Sequence, residues 1–342
     1  MDGLAIIVMI VKVLFVFSGV MLAVMIMTLA ERRVSAFMQD RLGPNRVGPQ
    51  GILQPIADGI KFLMKEDIIP SAAVKPIYIL APAMLIVPAL MTFAVIPFGQ
   101  TISLFGREIP LQVANVNIGI LYIFALTSVG VYGLVLAGWS SNSKYPLLGG
   151  LRSSAQLISY ELAMGLAAIS IIMMAGSLEL NDIVVAQQGE LFSWNICRQP
   201  LAFLIFLVAV YAETNRLPFD LTEAEQELVG GYHTEYSSMK FSMFFMAEYA
   251  NMVTAAALTV TLFFGGWDLP LINEAALGIW GGILSLLAFV IKTGFFLFLY
   301  IWVRWTFPRF RYDQLMWLGW KVLLPLALLN IIITGGILML TI

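Results

Sequence analysis

The sequence is short of the residues that most redox and metal chemistry needs. Its 342 residues include one histidine, His233, and one cysteine, Cys197. A bis-histidine haem takes two imidazoles, and an iron–sulfur cluster normally takes four thiolates. A structural zinc site likewise needs several Cys or His ligands. The chain alone can supply none of these, and it cannot form an intrachain disulfide, so cysteine pairing does not report its compartment. If electrons are involved, the metal sits in a partner protein. Charge is scarce too: Lys plus Arg number 19 and Asp plus Glu 21, or 12% of the chain. Soluble domains carry roughly 25%. Half that charge leaves too little polar material for a water-facing surface, which excludes an ordinary soluble enzyme and a disordered chain. A net charge of −2 argues against a nucleic-acid partner. No short repeat, low-complexity tract or domain linker interrupts the chain, so residues 1–342 read as one multi-pass membrane domain.

What the chain does have is hydrocarbon. Hydrophobic residues make up 60% of it. A bilayer core needs about 20 apolar residues per helix, and eight stretches approach that, roughly 4–29, 77–98, 116–138, 155–176, 198–213, 239–264, 281–303 and 320–341. The expected fold is therefore an all-α membrane protein with about eight spans; the fifth stretch is the shortest. The first has Asp2, no positive charge before Lys12, and an apolar run too long for a signal peptide, so it reads as a retained span. Arg32, Arg33, Arg41, Arg46, Lys61, Lys65, Lys75, Lys144, Arg152, Arg216, Lys240, Arg304, Arg309, Arg311 and Lys321 lie in or beside the odd-numbered loops, 15 of the 19 bases. The positive-inside rule then puts the odd loops on the cytoplasmic side and both termini outside.

Two inner loops are more than topology signals. Residues 31–75 open with Glu31-Arg32-Arg33 and continue through the Gly/Pro-punctuated turn Arg41-Leu42-Gly43-Pro44-Asn45-Arg46-Val47-Gly48-Pro49. From Gly51 to Lys65, Ile52, Leu53, Ile56, Ala57, Ile60, Leu63 and Met64 share one helical face, with Gln54, Asp58, Lys61 and Lys65 opposite. This predicts an amphipathic helix lying in the interface plane. Positive charge alone would satisfy topology. A Pro/Gly turn beside an interfacial helix goes further and frames an opening through which an apolar molecule can enter.

Residues 213–248 hold seven of the 21 acids, Glu213, Asp220, Glu223, Glu225, Glu227, Glu235 and Glu248, against Arg216 and Lys240. Thr222 and Glu225 fit a capping box, which accounts for one or two carboxylates but not for seven. Glu223 and Glu227 are four apart and would repel on a shared face. Crowded carboxylates titrate nearer neutrality, where they can pass protons. Glu161 and Glu248 fall inside spans and Glu213 at a span end; each is costly in a bilayer unless it faces the bundle or water, and a proton path is the favoured reading. An ion pair of a Glu with Lys292, in the seventh span, is the structural alternative. Lys12 is read as snorkelling outward, Cys197 as a packing residue, His233 as a satisfied loop residue rather than a shuttle, and Gly138-Trp139 as an interfacial anchor.

Five segments together resemble one family. They are Glu31-Arg-Arg with Arg41-Leu-Gly-Pro-Asn-Arg-Val-Gly48; Gly51-Ile-Leu-Gln-Pro-Ile-Ala-Asp58-Gly-Ile-Lys61; Gly138-Trp-Ser-Ser-Asn-Ser-Lys-Tyr145; Glu213-Thr-Asn-Arg-Leu-Pro-Phe-Asp-Leu-Thr-Glu-Ala-Glu-Gln-Glu-Leu228; and Pro308-Arg-Phe-Arg-Tyr-Asp-Gln-Leu-Met316. The chain resembles the membrane-embedded H subunits of respiratory complex I, the NADH:quinone oxidoreductase, over nearly its full length. The resemblance implies a translocase subunit with no redox centre of its own, at the membrane end of the quinone chamber. Quinone is then a substrate, while iron–sulfur clusters and flavin belong to partner subunits. Carried onto this chain, Arg32, Arg41, Asp58, Phe245 and Arg304 would line or gate the quinone path. Glu161, Glu213, Glu223, Glu225, Glu227 and Glu248 would form the acidic route toward the antiporter-like subunits. The expected partners are those membrane subunits, the iron–sulfur subunits of the peripheral arm and membrane lipid, with no nucleic acid; the expected location is a bacterial inner membrane or, alternatively, the mitochondrial one. A membrane anchor of a related hydrogenase or ferredoxin-linked complex would share the fold but use no quinone. A stand-alone proton-coupled transporter would also use intramembrane Glu and Lys, but the polar inner loops look like a docking face for soluble subunits.

Overall fold

A computed structural model describes residues 3–104, 107–221, 229–270 and 278–341. The first inner segment joins α1 (Gly3–Met38) and the interfacial helix α2 (Gln54–Met64) to α3 (Lys75–Met91). A hairpin of β1 (Gly99–Leu104) and β2 (Arg107–Leu111) precedes α4 (Gly119–Ser140) and α5 (Lys144–Ala175). Three shorter helices follow, α6 (Leu180–Val185), α7 (Asn195–Arg198) and α8 (Pro200–Glu213). The chain ends with α9 (Ser238–Phe263), α10 (Ile279–Thr306), α11 (Tyr312–Trp317) and α12 (Leu324–Thr341), the last two linked by a π-helical turn at Leu318–Leu323.

Among the described residues, seven helices are long and apolar enough to cross a bilayer, counting α11 to α12 as one. The eighth expected span is different. α8 has 14 residues, about 21 Å of helix, well short of a hydrocarbon core of about 30 Å. It is embedded in protein instead: Ala202, Phe206, Ala209 and Ala212 are fully buried. The interfacial helix forms where the amphipathic pattern put it, slightly shorter at its start, because Pro49–Gly51 make a separate tight turn. The hairpin adds a small antiparallel element that the apolar pattern did not announce.

The connections segregate by end. At one end, which we call inner, Ser238 Oγ donates to the carbonyls of Phe62 and Lys65, both at 2.9 Å. The Val74 amide reaches the Ser140 carbonyl, and the Phe310 amide reaches that of Pro218. At the opposite end, Ser285 Oγ accepts from the Gln100 amide and the Ile120 amide donates to the Leu178 carbonyl. Lys292 Nζ donates there to the carbonyls of Phe264, Gly266 and Asp268. These carbonyls belong to the turn that follows α9, so this intramembrane lysine ties that turn to α10. Lys12, at the same end, reaches the Gln112 carbonyl at 3.4 Å.

The acidic inner loop is held at both sides. Gln156, fully buried on α5, donates through Nε2 to the carbonyls of Ala212 and Phe219 at 2.8 and 2.9 Å and to Asn215 Oδ1 at 3.2 Å. At the loop's far end, the Tyr78 and Tyr236 rings stack 4.0 Å apart. Tyr78 Oη donates to the Glu235 carbonyl at 2.6 Å, and Tyr236 Oη to the Tyr78 carbonyl at 3.2 Å. Between them the loop backbone rests directly on Gly149 of α5. A methyl group at Gly149 would stand 2.7 Å from the Tyr232 amide nitrogen. Gly149→Ala is therefore expected to destabilise by about 1–3 kcal/mol through overpacking. The check is the thermal inactivation midpoint of the purified assembly, which should fall.

Candidate functional site

A run of polar residues on α1, α9, α10 and the segment after α8 converges at the inner end. Its centre is Arg216, 5% exposed. Arg216 Nη1 donates to both oxygens of Glu31 on α1, at 3.1 and 3.3 Å. Its Nε lies 2.5 Å from Glu248 Oε1 on α9. Arg304 of α10 also pairs with Glu31. Tyr249 Oη donates to Glu31 Oε2 at 2.6 Å, and the Arg216 guanidinium lies over the Tyr249 ring. Two carboxylates thus meet two guanidinium groups, so the buried group is neutral when all four are ionised. Coulombic attraction in a low dielectric offsets desolvation only when charges balance in this way.

Glu248 faces two ways. Besides Arg216, it lines a cavity of about 40 Å³ with Glu161, Glu213, Thr127, Thr214 and Asn251. About 10–15 Å³ accepts one water, so the space among the three carboxyl groups is large enough for about three waters. Glu161 accepts a hydrogen bond from Ser128 of α4. The structure therefore brings together three of the six carboxylates proposed for proton handling. Glu223, Glu225 and Glu227, with the expected capping box, lie outside the described residues.

The expected quinone-path residues divide. Arg32 Nη1 pairs with Asp58 Oδ2 of α2 at 2.5 Å, and Asp58 also accepts from Lys61 and Gln54. Phe245 of α9 packs its ring against Phe241 and the edge of His233, with Phe62 of α2 next to Phe241. These contacts lie where α1, α2 and α9 meet. Arg304 is set back in the buried charge group. Arg41 stands apart: it is exposed beyond the end of α1, and its Nε donates to the Gln39 side chain.

A larger apolar cavity of about 500 Å³ runs along α1, α9 and α10, with Lys12 as its one charged lining residue. Hydrocarbon fits such a wall, whereas a proton path does not.

His233 is buried among the rings of Tyr232, Phe241 and Phe245. Cys197 is exposed on α7 rather than packed in a core. Lys292 donates to the backbone carbonyls of Phe264 and Asp268. Sequence reasoning singled out neither Glu31 nor Tyr249 nor Asn251 as a functional residue. Glu31 had a signal, an acid just after the first apolar stretch, residues 4–29, but it was read as the start of the loop. Arg216 had one too, as one of two bases among seven acids. Among the described residues no group of three or more His, Cys, Asp or Glu is placed to hold a metal ion.

Removing one partner of a buried ion pair leaves an uncompensated charge, at about 3–5 kcal/mol. Arg216→Met should accordingly lower the yield of assembled protein sharply. Arg216→Met combined with Glu248→Gln, which leaves the Glu31–Arg304 pair and restores neutrality, should recover part of it; yields on membranes solubilised in mild detergent test the order. Burial pushes the His233 imidazole down from 6.5 to about 4. Between those values the unfolded chain binds more protons than the folded one, so this group's contribution to stability is lost as pH falls through that window. His233→Asn should shrink the drop in thermal midpoint between pH 7 and pH 5; an unchanged drop would remove the histidine from the acid sensitivity.

The chain matches the family model described as NADH dehydrogenase over residues 11–335. It is 55% identical over 328 residues to an H subunit (H 2) of the NADH-quinone oxidoreductase of Geobacter sulfurreducens, covering 96% of this chain and 95% of the relative. Identity to the NADH-quinone oxidoreductase H subunit of Flavobacterium psychrophilum is 51% over 339 residues, 98% of each. To the eighth-numbered NADH-quinone oxidoreductase subunit of Rhodothermus marinus it is 54% over 327 residues, 93% of each. With its buried charge group, its carboxylate cavity and a match running nearly end to end, the chain belongs to the NADH dehydrogenase family, alongside the H subunits of bacterial NADH–quinone oxidoreductases.

Proposed function

We propose that the chain is the membrane-embedded H subunit of a proton-pumping NADH:quinone oxidoreductase, complex I, that it forms the membrane end of the quinone chamber, and that it couples quinone reduction to proton movement. The observation that carries this is the continuity of one polar group. Arg32, which joins α1 to α2 through Asp58, neighbours Glu31; Glu31 pairs with Arg216; Arg216 pairs with Glu248; and Glu248 lines the cavity shared with Glu161 and Glu213.

Reducing a quinone to a quinol consumes electrons and protons together. This chain carries no group that stores electrons, so they come from a cluster in a partner subunit, which docks on the polar inner loops. What the chain itself supplies is position and charge. Arg32 and Asp58 hold the opening, with Phe245 presenting an aromatic wall to the quinone. A charge change at the quinone is felt by Arg304 and Glu31, because buried charges are weakly screened. Any shift of Arg216 between its two carboxylates alters how readily Glu248 keeps its proton, and water in the cavity carries the change to Glu213 and Glu161. Glu223, Glu225 and Glu227 would extend this route from the acidic loop, and Arg41 would act at the rim. In this reading the inner end faces the compartment that holds the iron–sulfur subunits, both termini lie on the other side, and the membrane is the bacterial inner membrane. The hydrogenase-anchor reading has no support in the names of the three relatives given above, which are NADH-quinone oxidoreductase subunits.

The Arg32–Asp58 pair is partly exposed, and such pairs contribute only about 0–1 kcal/mol to stability. Arg32→Ala and Asp58→Ala should therefore assemble normally. Each is expected to lower NADH:quinone activity about tenfold, the rate equivalent of 1.4 kcal/mol, while NADH oxidation by an artificial acceptor stays at wild-type level. Equal loss of both activities would count against a quinone role.

A further inference from the structure

The carboxylate cavity has a neighbour toward the outer end, a second cavity of about 30 Å³. Its far walls are mainly apolar, formed by Ile123, Phe124, Met164, Val210 and Leu258. Four residues line both spaces: Thr127, Glu213, Thr214 and Asn251. They form a neck, and each space beyond it is large enough for water.

Three of the four are easily explained. Glu213 is a carboxylate of the path. Thr214 Oγ is tied back to its own helix, at 3.2 Å from the carbonyls of both Val210 and Tyr211. Thr127 Oγ is likewise tied to the Phe124 carbonyl at 3.0 Å. Asn251 is the remaining polar group. It lies three residues after Glu248 on α9, so both side chains project to the same side of the helix. Its amide carries two donor hydrogens and an acceptor oxygen, and it cannot titrate. A group of that kind orients water without trapping the proton.

We propose that Asn251 is a positioning residue that holds the water joining Glu248 and Glu161 to Glu213 and to the space behind it. This rests on the reading of those carboxylates as a proton path. Glu248 and Glu213 need no direct contact, because an ordered water bridging them serves nearly as well as a direct hydrogen bond. Asn251 gives that water its fixed donor and acceptor. The second cavity lets the chain of water extend past Glu213 toward Thr254, whose Oγ lies 3.1 Å from Thr92 Oγ.

The test uses the whole complex in proteoliposomes, with Asn251→Leu, Asn251→Ala and Asn251→Ser. If Asn251 positions water, Asn251→Leu fills the neck with hydrocarbon and lowers NADH:quinone turnover and proton uptake about tenfold, the rate equivalent of one lost hydrogen bond. Asn251→Ser and Asn251→Ala leave a space that water can enter and should retain most of both. NADH oxidation by an artificial acceptor should be unchanged throughout. If Asn251 only packs, the order reverses: leucine, of similar size, is tolerated and alanine is damaging. That reversed order, or a wild-type Asn251→Leu, overturns the inference. Glu213→Gln and Glu248→Gln, run beside it, separate the two claims. If both glutamine variants pump normally the carboxylate path itself fails; if they are defective and Asn251→Leu is not, only the role of Asn251 falls.

Discussion

An unbalanced charge inside a low-dielectric bundle is too costly to keep, and this fold is arranged around that constraint at Arg216. One guanidinium joins Glu31 of the first span to Glu248 of α9, while Arg304 closes the group from α10. Three helices and the acidic loop therefore meet because their charges must balance there. The same balance makes the group responsive. Adding or removing a proton anywhere in it changes what every other member prefers, because little solvent intervenes.

The loop that carries Arg216 owes its shape to uncharged contacts. Gln156 holds its start through three acceptors, and the Tyr78–Tyr236 stack holds its end. Gly149 lets the backbone between them lie flat on α5. The charged and uncharged parts have separate jobs: one fixes the loop and the other reads the electrostatic state of the site. The division extends to the voids. The cavity beside Glu248 is small and rimmed with carboxyl groups, and the one along α1 is more than ten times larger and almost wholly apolar.

Much of this was legible in the sequence because hydrophobic runs and charge positions are local signals. The long spans, the interfacial helix after Gly51 and the gathering of odd loops at one end follow from run length, 3.6-residue periodicity and the bias of Lys and Arg. What could not be read is pairing over long separations. Glu31 and Arg304 are 273 positions apart, and no local pattern says that they touch. α8 misled for a different reason: its composition is that of a span, but its length is set by neighbours that bury it. Asn251 gave no signal, since a lone asparagine within an apolar helix becomes informative only when the voids beside it are seen.

α1 is 36 residues long, and little of its apolar middle is buried. Near its inner end it carries Glu31 and Arg32 side by side. Glu31 points into the buried group, and Arg32 points away to Asp58 on α2. Consecutive residues on a helix are about 100° apart, so a rigid rod cannot roll one without rolling the other. The span with the smallest buried share among the described ones therefore holds Asp58 and the electrostatic centre in one fixed register, through covalent bonds alone and with no relay of intervening side chains.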